Sequence, residues 1–402
     1  MRITQNRRQI LVGLGGGALT AIGNSACAPK AVQKTPASPS YDAEIIILGA
    51  GLAGLHAAHL LAAAGRDVLV LEANDRVGGR IYTLPHNGAY TEGGSARFGA
   101  NDARLKKAAE DLALSFTQIN TSPAAPSFWI GGQAVSGSEW TAAQASKQAS
   151  NQQDLYRAAA SDLHISGGAQ RLPEAMARRL PRAPVLKTYI QSIDPTAQGI
   201  AATDHRGRIW RAPKMICTLP FGSLRHLRVN VPLPDLQKAA IARLPYQQNL
   251  QIHFRAKTAF WEKDNFGADM RTDGLLGQIT AKYDNAGNPV GLFQSRLNDA
   301  AIKTLFQKGE KHLHRQFRAE LFRLRPSTYA AIEILDVVNW TSNNRAAGGA
   351  AIDWAAKMPT GWTDVMGRPA GHLYFAGSHL GVQHKGMEGA MESAERAAAL
   401  IL

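Results

Sequence analysis

The residues with the clearest chemistry stand near position 50. Gly49-Ala50-Gly51-Leu52-Ala53-Gly54 spaces three glycines as GxGxxG directly after the apolar run Glu44-Ile45-Ile46-Ile47-Leu48. A short run of β-branched residues reads as a buried parallel strand. At the end of such a strand Gly49 permits a tight turn, Gly51 lets backbone approach a pyrophosphate, and Gly54 lets the next helix pack closely. That helix is predicted over residues 55–64, ended by Gly65, and its N-terminal amides favour phosphate. A second strand is predicted over 67–71 and ends at Glu72, where a carboxylate accepts hydrogen bonds from ribose hydroxyls. Glycines alone are a weak signal; strand, glycines, helix, strand and terminal acid in one unit specify a dinucleotide site.

The chain continues as Glu72-Ala73-Asn74-Asp75-Arg76-Val77-Gly78-Gly79-Arg80. This run resembles the E-A-x-x-R-x-G-G-R continuation of the FAD-dependent amine oxidases. The resemblance implies that Gly79 and Arg80 wrap the pyrophosphate, which a guanidinium pairs with well. Arg76 reads either as a second cofactor contact or as a surface arginine. Further along, 165–172 resembles the family's turn before a helix. Residues 185–193, with Ile190, resemble the strand whose backbone meets the adenine. Residues 211–220 resemble the strand that returns to the FAD domain. Leu373-Tyr374-Phe375-Ala376-Gly377-Ser378, then Gly386-Met387-Glu388-Gly389-Ala390, resembles the family's F-A-G strand and M-E-G-A helix start. Gly377, Ser378 and Met387 are therefore expected at the flavin. Glu388 is read first as an acid complementing a helix dipole.

Thr91-Glu92-Gly93-Gly94-Ser95-Ala96-Arg97-Phe98 resembles the glycine-rich segment beside the flavin, which places Gly94, Ser95, Ala96 and Arg97 there. Amino-acid oxidases carry an arginine at the place of Arg97, paired with the substrate carboxylate. The alternatives for Arg97 are a cofactor phosphate or an ordinary ion pair. Other positions depart from the family. The lysine that holds a water near the flavin falls at Asn249, which supplies no charge. The two aromatic residues of the amine cage fall near Ala351 and Gly386, and the cysteine that attaches flavin in some members falls near Ala350. FAD is therefore expected to be held non-covalently, over a wider pocket. Trp354 and Trp340 read as pocket walls or as core, with core preferred for Trp340. His379, His384 and Lys385 lie in the loop expected to pass the flavin.

Positioning these residues needs an α/β architecture: a Rossmann-type FAD-binding domain from 42–100, 165–235 and 366–402, and a discontinuous α+β substrate domain from 101–164 and 236–365. In the latter, Leu250-Gln251-Ile252-His253-Phe254 alternates as a half-buried strand does, and helices are predicted over 299–306 and around 312–323. The expected activity is oxidation of an amine or amino acid by hydride transfer to the flavin, with oxygen or an electron carrier as acceptor. The cofactor does the chemistry while the protein orients the substrate. Neither a Ser-His-Asp set nor a metal site is needed. The other readings are desaturase-like oxidation of a carbon–carbon bond and an exported FAD-binding assembly factor with little turnover. Substrate-dependent bleaching of the flavin separates these.

The remaining signals concern location. The chain has 402 residues, 45 Lys and Arg against 31 Asp and Glu, and a net charge of +14. That surplus favours anionic cofactors and surfaces. Basic residues are not interleaved with aromatics in a stripe, so nucleic acid is not expected as a partner. Arg7-Arg8 precede a weakly apolar run at 10–26, similar to a twin-arginine export signal, with an ordinary signal peptide as the alternative. A Pro, Ala and Ser-rich tether at 28–41 follows. The protein is thus expected in the periplasm, either free or tethered through a lipid on Cys27. Only Cys217 then remains, which excludes a disulfide framework.

Overall fold

The computed structural model describes residues 40–122, 124–146, 162–298, 302, 305, 308–342, 352 and 360–402. Arg7, Arg8, Cys27, Ala350, Ala351 and Trp354 lie outside them, as does most of the predicted 299–306 helix.

Four short parallel strands form the sheet beneath the glycine motif. Their order is Val68–Leu71, Ile45–Leu48, Lys214–Cys217, Leu373–Phe375. The register sets Ile45 opposite both Val68 and Lys214, and Met215 opposite Leu373. Alternate residues of each strand enter different cores. Ile45, Ile47, Val68 and Val70 join helices Leu52–Ala63 and Gly386–Ala399. Ile46, Leu48, Leu69 and Leu71 join a second cluster with Trp210, Phe221 and Leu373. Burial on both faces is what continuous aliphatic runs demand. The second cluster includes an antiparallel layer, Ile209–Ala212, Gly199–Asp204 and Ile190–Thr196, with Arg228–Val229 at its edge.

The strand predicted over 185–193 is split. Val185 makes only an isolated bridge to Leu71, Lys187 has a positive φ, and the continuous strand starts at Ile190. Lys187 and Thr188 instead donate backbone N–H groups to the carbonyls of Asn74 and Glu72. Residues 103–118, read from the sequence with the substrate portion, send Leu105, Ala109 and Leu114 into the first cofactor-side cluster.

The second large sheet has seven strands, in the order Ile332–Asn339, Leu250–Ala256, Pro289–Arg296, Gln278–Tyr283, Met270–Thr272, Ser127–Ile130, Gln133–Val135. Helix Glu310–Leu324 lays Leu313, Phe317, Leu321 and Leu324 on one face, against Leu250, Ile252 and Phe254. Behind it Arg325, 1% exposed, forks onto Asp264 at 2.6 and 2.9 Å and donates to the carbonyl of Gly267.

Strand Leu250–Ala256 alternates as expected, yet it is buried on both faces rather than half-buried. Its polar face carries Asn249, Gln251 and His253. The hairpin Thr83–His86 and Ala89–Glu92 covers it through Leu84 and Tyr82 on Val338 and Trp340. Two hydrogen bonds link these buried polar groups, and His253 Nδ1 has no partner among the described residues. Gln251 Nε2 donates to Asn249 Oδ1 at 2.9 Å, and Gln251 Oε1 lies 3.1 Å from His253 Nε2. Burial pushes the His253 pKa down to about 3, so the ring is neutral at physiological pH. No helix among the described residues is long and apolar enough to cross a membrane.

Candidate functional site

A cleft opens at the C-terminal ends of the parallel strands. Gly49, Gly51, Glu72, Ala73, Gly79, Arg80, Ser95, Thr218, Gly377, Ser378, Gly386 and Met387 line it. It encloses about 1040 Å³ of space, part of it open to solvent. Ligands of open α/β sheets bind in this place.

The three glycines meet three separate demands. Gly49 has φ +101°, and a Cβ there would lie 2.7 Å from Thr218 Oγ1. A Cβ on Gly54 would lie 2.0 Å from the carbonyl oxygen of Gly49, so this glycine is required by helix–loop contact. A Cβ on Gly51 would meet nothing within 4 Å; it would project into the open cleft, where a cofactor's phosphates would approach. Glu72 is 5% exposed. Its Oε2 accepts from Ala50 N at 2.7 Å, and its Oε1 from Asn74 N and Nδ2 at 2.9 and 2.8 Å. A carboxylate has about four acceptor sites, so capacity remains for a ribose hydroxyl.

Arg80 lines the cleft and donates from Nη2 to Ser378 Oγ at 2.7 Å, tying the second glycine loop to the end of strand Leu373–Phe375. Arg76 is placed differently. Its guanidinium donates to the carbonyls of Val77, Gly79 and Ile81 and to Gln170 Oε1, and it lies 4.2 Å from the Tyr82 ring centroid. It braces the loop that carries Arg80 from behind and is not part of the cleft wall. Gly94 is likewise behind the wall; a Cβ there would be 1.9 Å from the carbonyl oxygen of Arg80, so two backbones cross at this point. Ser95 faces the cleft, whereas Ala96 is buried in the first cluster. Arg97 opens a two-residue strand opposite His164 and stands outside the cleft wall. Ile190 is buried in the second cluster, also away from the wall.

Asn249 is fully buried at the start of its strand. Its N–H donates to Thr341 Oγ1 at 2.8 Å and its carbonyl accepts from Trp340 N at 3.0 Å. Trp340 is core: its Nε1 donates to the carbonyl of Gly93 at 2.6 Å. Gly386, one of the two expected cage positions, does line the cleft. Cys217, the one cysteine among the described residues, is buried within a strand, with burial pushing its thiol up to about 12; it does not line the cleft, in keeping with non-covalent FAD.

Other groups join the wall, His379 as its loop led us to expect and Thr218 without having been singled out. Thr218 Oγ1 donates to the carbonyl of Leu48 at 2.8 Å and forms part of the wall. Its signal was its place in the returning strand. His379, 2% exposed, also borders the cleft; burial and the nearby Arg80 push its pKa down to about 3, and neither ring nitrogen has a partner. Glu388 stands in the first turn of its own helix, as expected, and also serves a second one. Its Oε1 accepts from Arg104 N and Nη1 at 3.1 and 3.0 Å, and its Oε2 from Leu105 N at 3.2 Å. It thereby caps helix Ala103–Asp111 from 284 residues away.

Glu92 lies beneath the cleft, where its oxygens accept from Ala169 N at 2.9 Å and Thr83 Oγ1 at 2.8 Å. Burial raises its pKa to about 7. A raised carboxyl pKa contributes stability that is fully present below its unfolded value and lost as pH rises through about 7. Glu92→Gln keeps the acceptor for Ala169 N–H, meets Thr83 Oγ1 with an amide N–H so that this bond reverses direction, and removes the titration. Its stability relative to the parent protein is expected to improve between pH 5 and pH 8 by on the order of 2 kcal/mol. Urea melts at the two pH values read this, and an unchanged difference would refute it.

A parallel sheet, a glycine turn with a terminal acid, an arginine and a helix start on one cleft make up a dinucleotide-binding site. The sequence matches the family described as flavin containing amine oxidoreductase over residues 52–135 and 126–402. The chain belongs to that family, and its cofactor is FAD. Human amine oxidase [flavin-containing] B is 23% identical over 455 residues, covering 90% of this chain and 86% of that protein. A flavin-dependent L-tryptophan oxidase of Lentzea aerocolonigenes is 24% identical over 463 residues, covering 87% and 96%. Among solved structures, cyclohexylamine oxidase from Brevibacterium oxydans shares the fold with a TM-score of 0.73 at 19% identity, covering 90% of this chain and 98% of that one.

The residues present fit FAD. Glu72 would take the ribose end, Gly51 and Arg80 the pyrophosphate, and Ser378, Gly386 and Met387 the flavin end. The bound group supplies a two-electron acceptor for hydride. The chain's part is to hold that acceptor against the substrate and to manage the substrate's proton.

Proposed function

We propose that this chain oxidises the carbon–nitrogen bond of a small amine or amino acid, passing hydride to FAD. The observation that carries the reading is the cleft itself, on which Glu72, Arg80, Ser378 and Met387 converge from separate stretches of the chain. Family membership supports the reaction class. Known relatives act on cyclohexylamine and L-tryptophan by name, and a structural neighbour binds putrescine. Gly386, with no side chain, leaves more room at the flavin than an aromatic residue would. This suits a substrate broader than a small alkyl amine.

Arg97 is the candidate partner for a substrate carboxylate, Asn249 the candidate holder of a water, and Trp354 a candidate wall. The acceptor is oxygen or an electron carrier. Arg7-Arg8 support export to the periplasm by the twin-arginine route, and Cys27 supports a lipid tether. Replacing both arginines by lysine and following the protein in periplasmic and cytoplasmic fractions tests the first; mass analysis of the mature N-terminus tests the second.

The central test is the visible spectrum of the leaderless protein, recorded anaerobically with putrescine, cyclohexylamine and L-tryptophan. Bleaching by one class supports the reading and names the class, and air re-oxidation then separates oxidase from dehydrogenase. Flavin that no amine or amino acid bleaches would overturn it. If amino acids are the substrates, Arg97→Ala is expected to raise their KM by roughly a hundredfold or more, the cost of unpairing a buried charge. Unchanged kinetics would remove Arg97 from the site.

A further inference from the structure

A second cavity shares the loop that follows Glu72. Asn74, Asp75, Lys187, Tyr189, His205 and Arg206 line it, and it encloses about 610 Å³ of space, part of it open to solvent. Ala73 and Asn74 border this cavity and the cofactor cleft alike. Gly51 and Arg80, which face the cofactor's pyrophosphate, line only the cleft.

Three stretches of chain build the second cavity, and each is held in place. The N–H groups of Lys187 and Thr188 donate to the carbonyls of Asn74 and Glu72, both at 2.8 Å. His205 N donates to the Tyr189 carbonyl at 2.8 Å. Asp204, 4% exposed, braces the turn that follows it: its Oδ1 accepts from Arg206 N at 2.9 Å and Arg208 N at 3.1 Å, and its Oδ2 from Trp210 Nε1 at 3.1 Å. Lys187 itself stands at φ 55°, in the left-handed region. Few non-glycine residues adopt it, and those that do gather at ligand sites.

The side chains on this wall suit an anion. Lys187 and Arg206 bring two positive charges and His205 an imidazole. Among the described residues no hydrogen bond or ion pair engages these three side chains. Asp75 is the opposing charge on the wall, and its field also acts on Arg76, the next residue along. A carboxylate offers two oxygens in one plane and a single charge. A phosphate offers three oxygens spread in space and up to two charges, so it can meet Lys187, Arg206 and His205 together. We propose that this cavity binds a phosphate group, carried by a nucleotide or free in solution, beside the ribose end of bound FAD.

Calorimetric titration of the FAD-loaded protein with inorganic phosphate, AMP and adenosine, in a chloride buffer of low ionic strength, decides this. With FAD filling the cleft, phosphate and AMP are expected to bind at one site per chain, and adenosine is expected not to bind. Tighter binding of AMP than of phosphate assigns the ligand to a nucleotide, and equal affinities assign it to the free anion. Arg206→Gln and Lys187→Asn are each expected to weaken binding roughly tenfold, the loss of one charge-assisted contact. Asparagine accepts the left-handed backbone at position 187. Retained flavin in each variant shows that the fold is intact.

Arg208→Gln is the control for surface charge in general. This arginine follows the same turn, but its guanidinium carbon lies 3.5 Å from the Trp210 ring centroid and its Nη2 pairs with Asp42 at 3.3 Å, and it does not line the cavity. Its loss is expected to leave phosphate affinity unchanged. The proposal is overturned by the absence of saturable binding, by adenosine binding as well as AMP, or by equal losses in Arg206→Gln and Arg208→Gln. It is also overturned if phosphate binds only after FAD has been stripped, since the cavity would then be part of the cofactor's own site.

Discussion

Gly54→Ala yields protein purified without flavin. Its new Cβ would stand 2.0 Å from the carbonyl oxygen of Gly49 and 3.1 Å from Thr218 Oγ1, and backbone at that distance cannot yield without moving the helix off the strand. The turn that receives the pyrophosphate and the helix start that faces it are then displaced together. Gly51→Ala makes the informative contrast. Its Cβ meets nothing in the protein, so the melting temperature of the flavin-free form is expected to be unchanged. FAD affinity is nevertheless expected to fall on the order of a hundredfold, because the methyl occupies the space that phosphate needs. The ratio of flavin to protein absorbance reads the first variant, and fluorescence titration of flavin-free protein reads the second. Stoichiometric FAD in Gly54→Ala would show that the cradle is not what these glycines serve.

Arg325→Ala is the substitution with the largest expected effect on stability. The guanidinium is buried among Phe260, Phe266 and Trp129, with its nearest ring centroid, that of Phe260, at 4.8 Å. Burial alone would raise the Asp264 carboxyl, but hydrogen bonds from Arg325 and Ser327 outweigh it and hold that carboxyl below its ordinary value. Removing the arginine leaves a carboxylate with its main partner gone. The expected cost is about 3–5 kcal/mol in chemical denaturation. Replacing both partners by apolar residues, Arg325→Met with Asp264→Leu, is expected to cost much less, since no charge is then stranded. Equal losses in the single and double variants would show that packing, and not the ion pair, sets the effect.

Legibility followed the range over which each signal acts. Strands Ile45–Leu48 and Val68–Leu71 and helix Leu52–Ala63 were readable because their signals are local: aliphatic runs, a glycine turn and a terminating glycine. Helices Glu310–Leu324 and Gly386–Ala399 were readable for the same reason, within a few residues. The resemblance added the positions of Arg80, Ser378 and Met387 on the cleft, which periodicity alone does not supply.

What escaped the sequence depends on distant partners. The alternation at Leu250–Phe254 suggested one wet face, but the far-upstream hairpin Thr83–His86 and Ala89–Glu92 covers it, so Gln251 and His253 had to pair with each other. Arg76 sits in a motif that suggests phosphate, yet the distant Gln170, together with three carbonyls of its own loop and a tyrosine ring, claims it. Glu388 does sit in the first turn of its own helix, but nothing local reveals the second helix start that it also caps. The 185–193 run has strand composition, but the carbonyls of Asn74 and Glu72 take the amides of Lys187 and Thr188.

The pairing of the parallel sheet has a consequence for biosynthesis. Strand Ile45–Leu48 finds one neighbour at Val68–Leu71 and the other at Lys214–Cys217, and that in turn waits for Leu373–Phe375. Ser393 then fixes Gly377 through its N–H and its carbonyl, at 2.8 and 2.9 Å. A ribosome moving from the N-terminus therefore delivers the glycine turn early and the opposite bank of the cleft last. Contacts so far apart in sequence form slowly. The nascent chain would hold half a binding site for most of its synthesis, and FAD can be retained only after Ser393 has emerged and docked. Flavin capture thus reports on completed folding: a chain that has bound its cofactor has, by construction, closed its longest-range contacts.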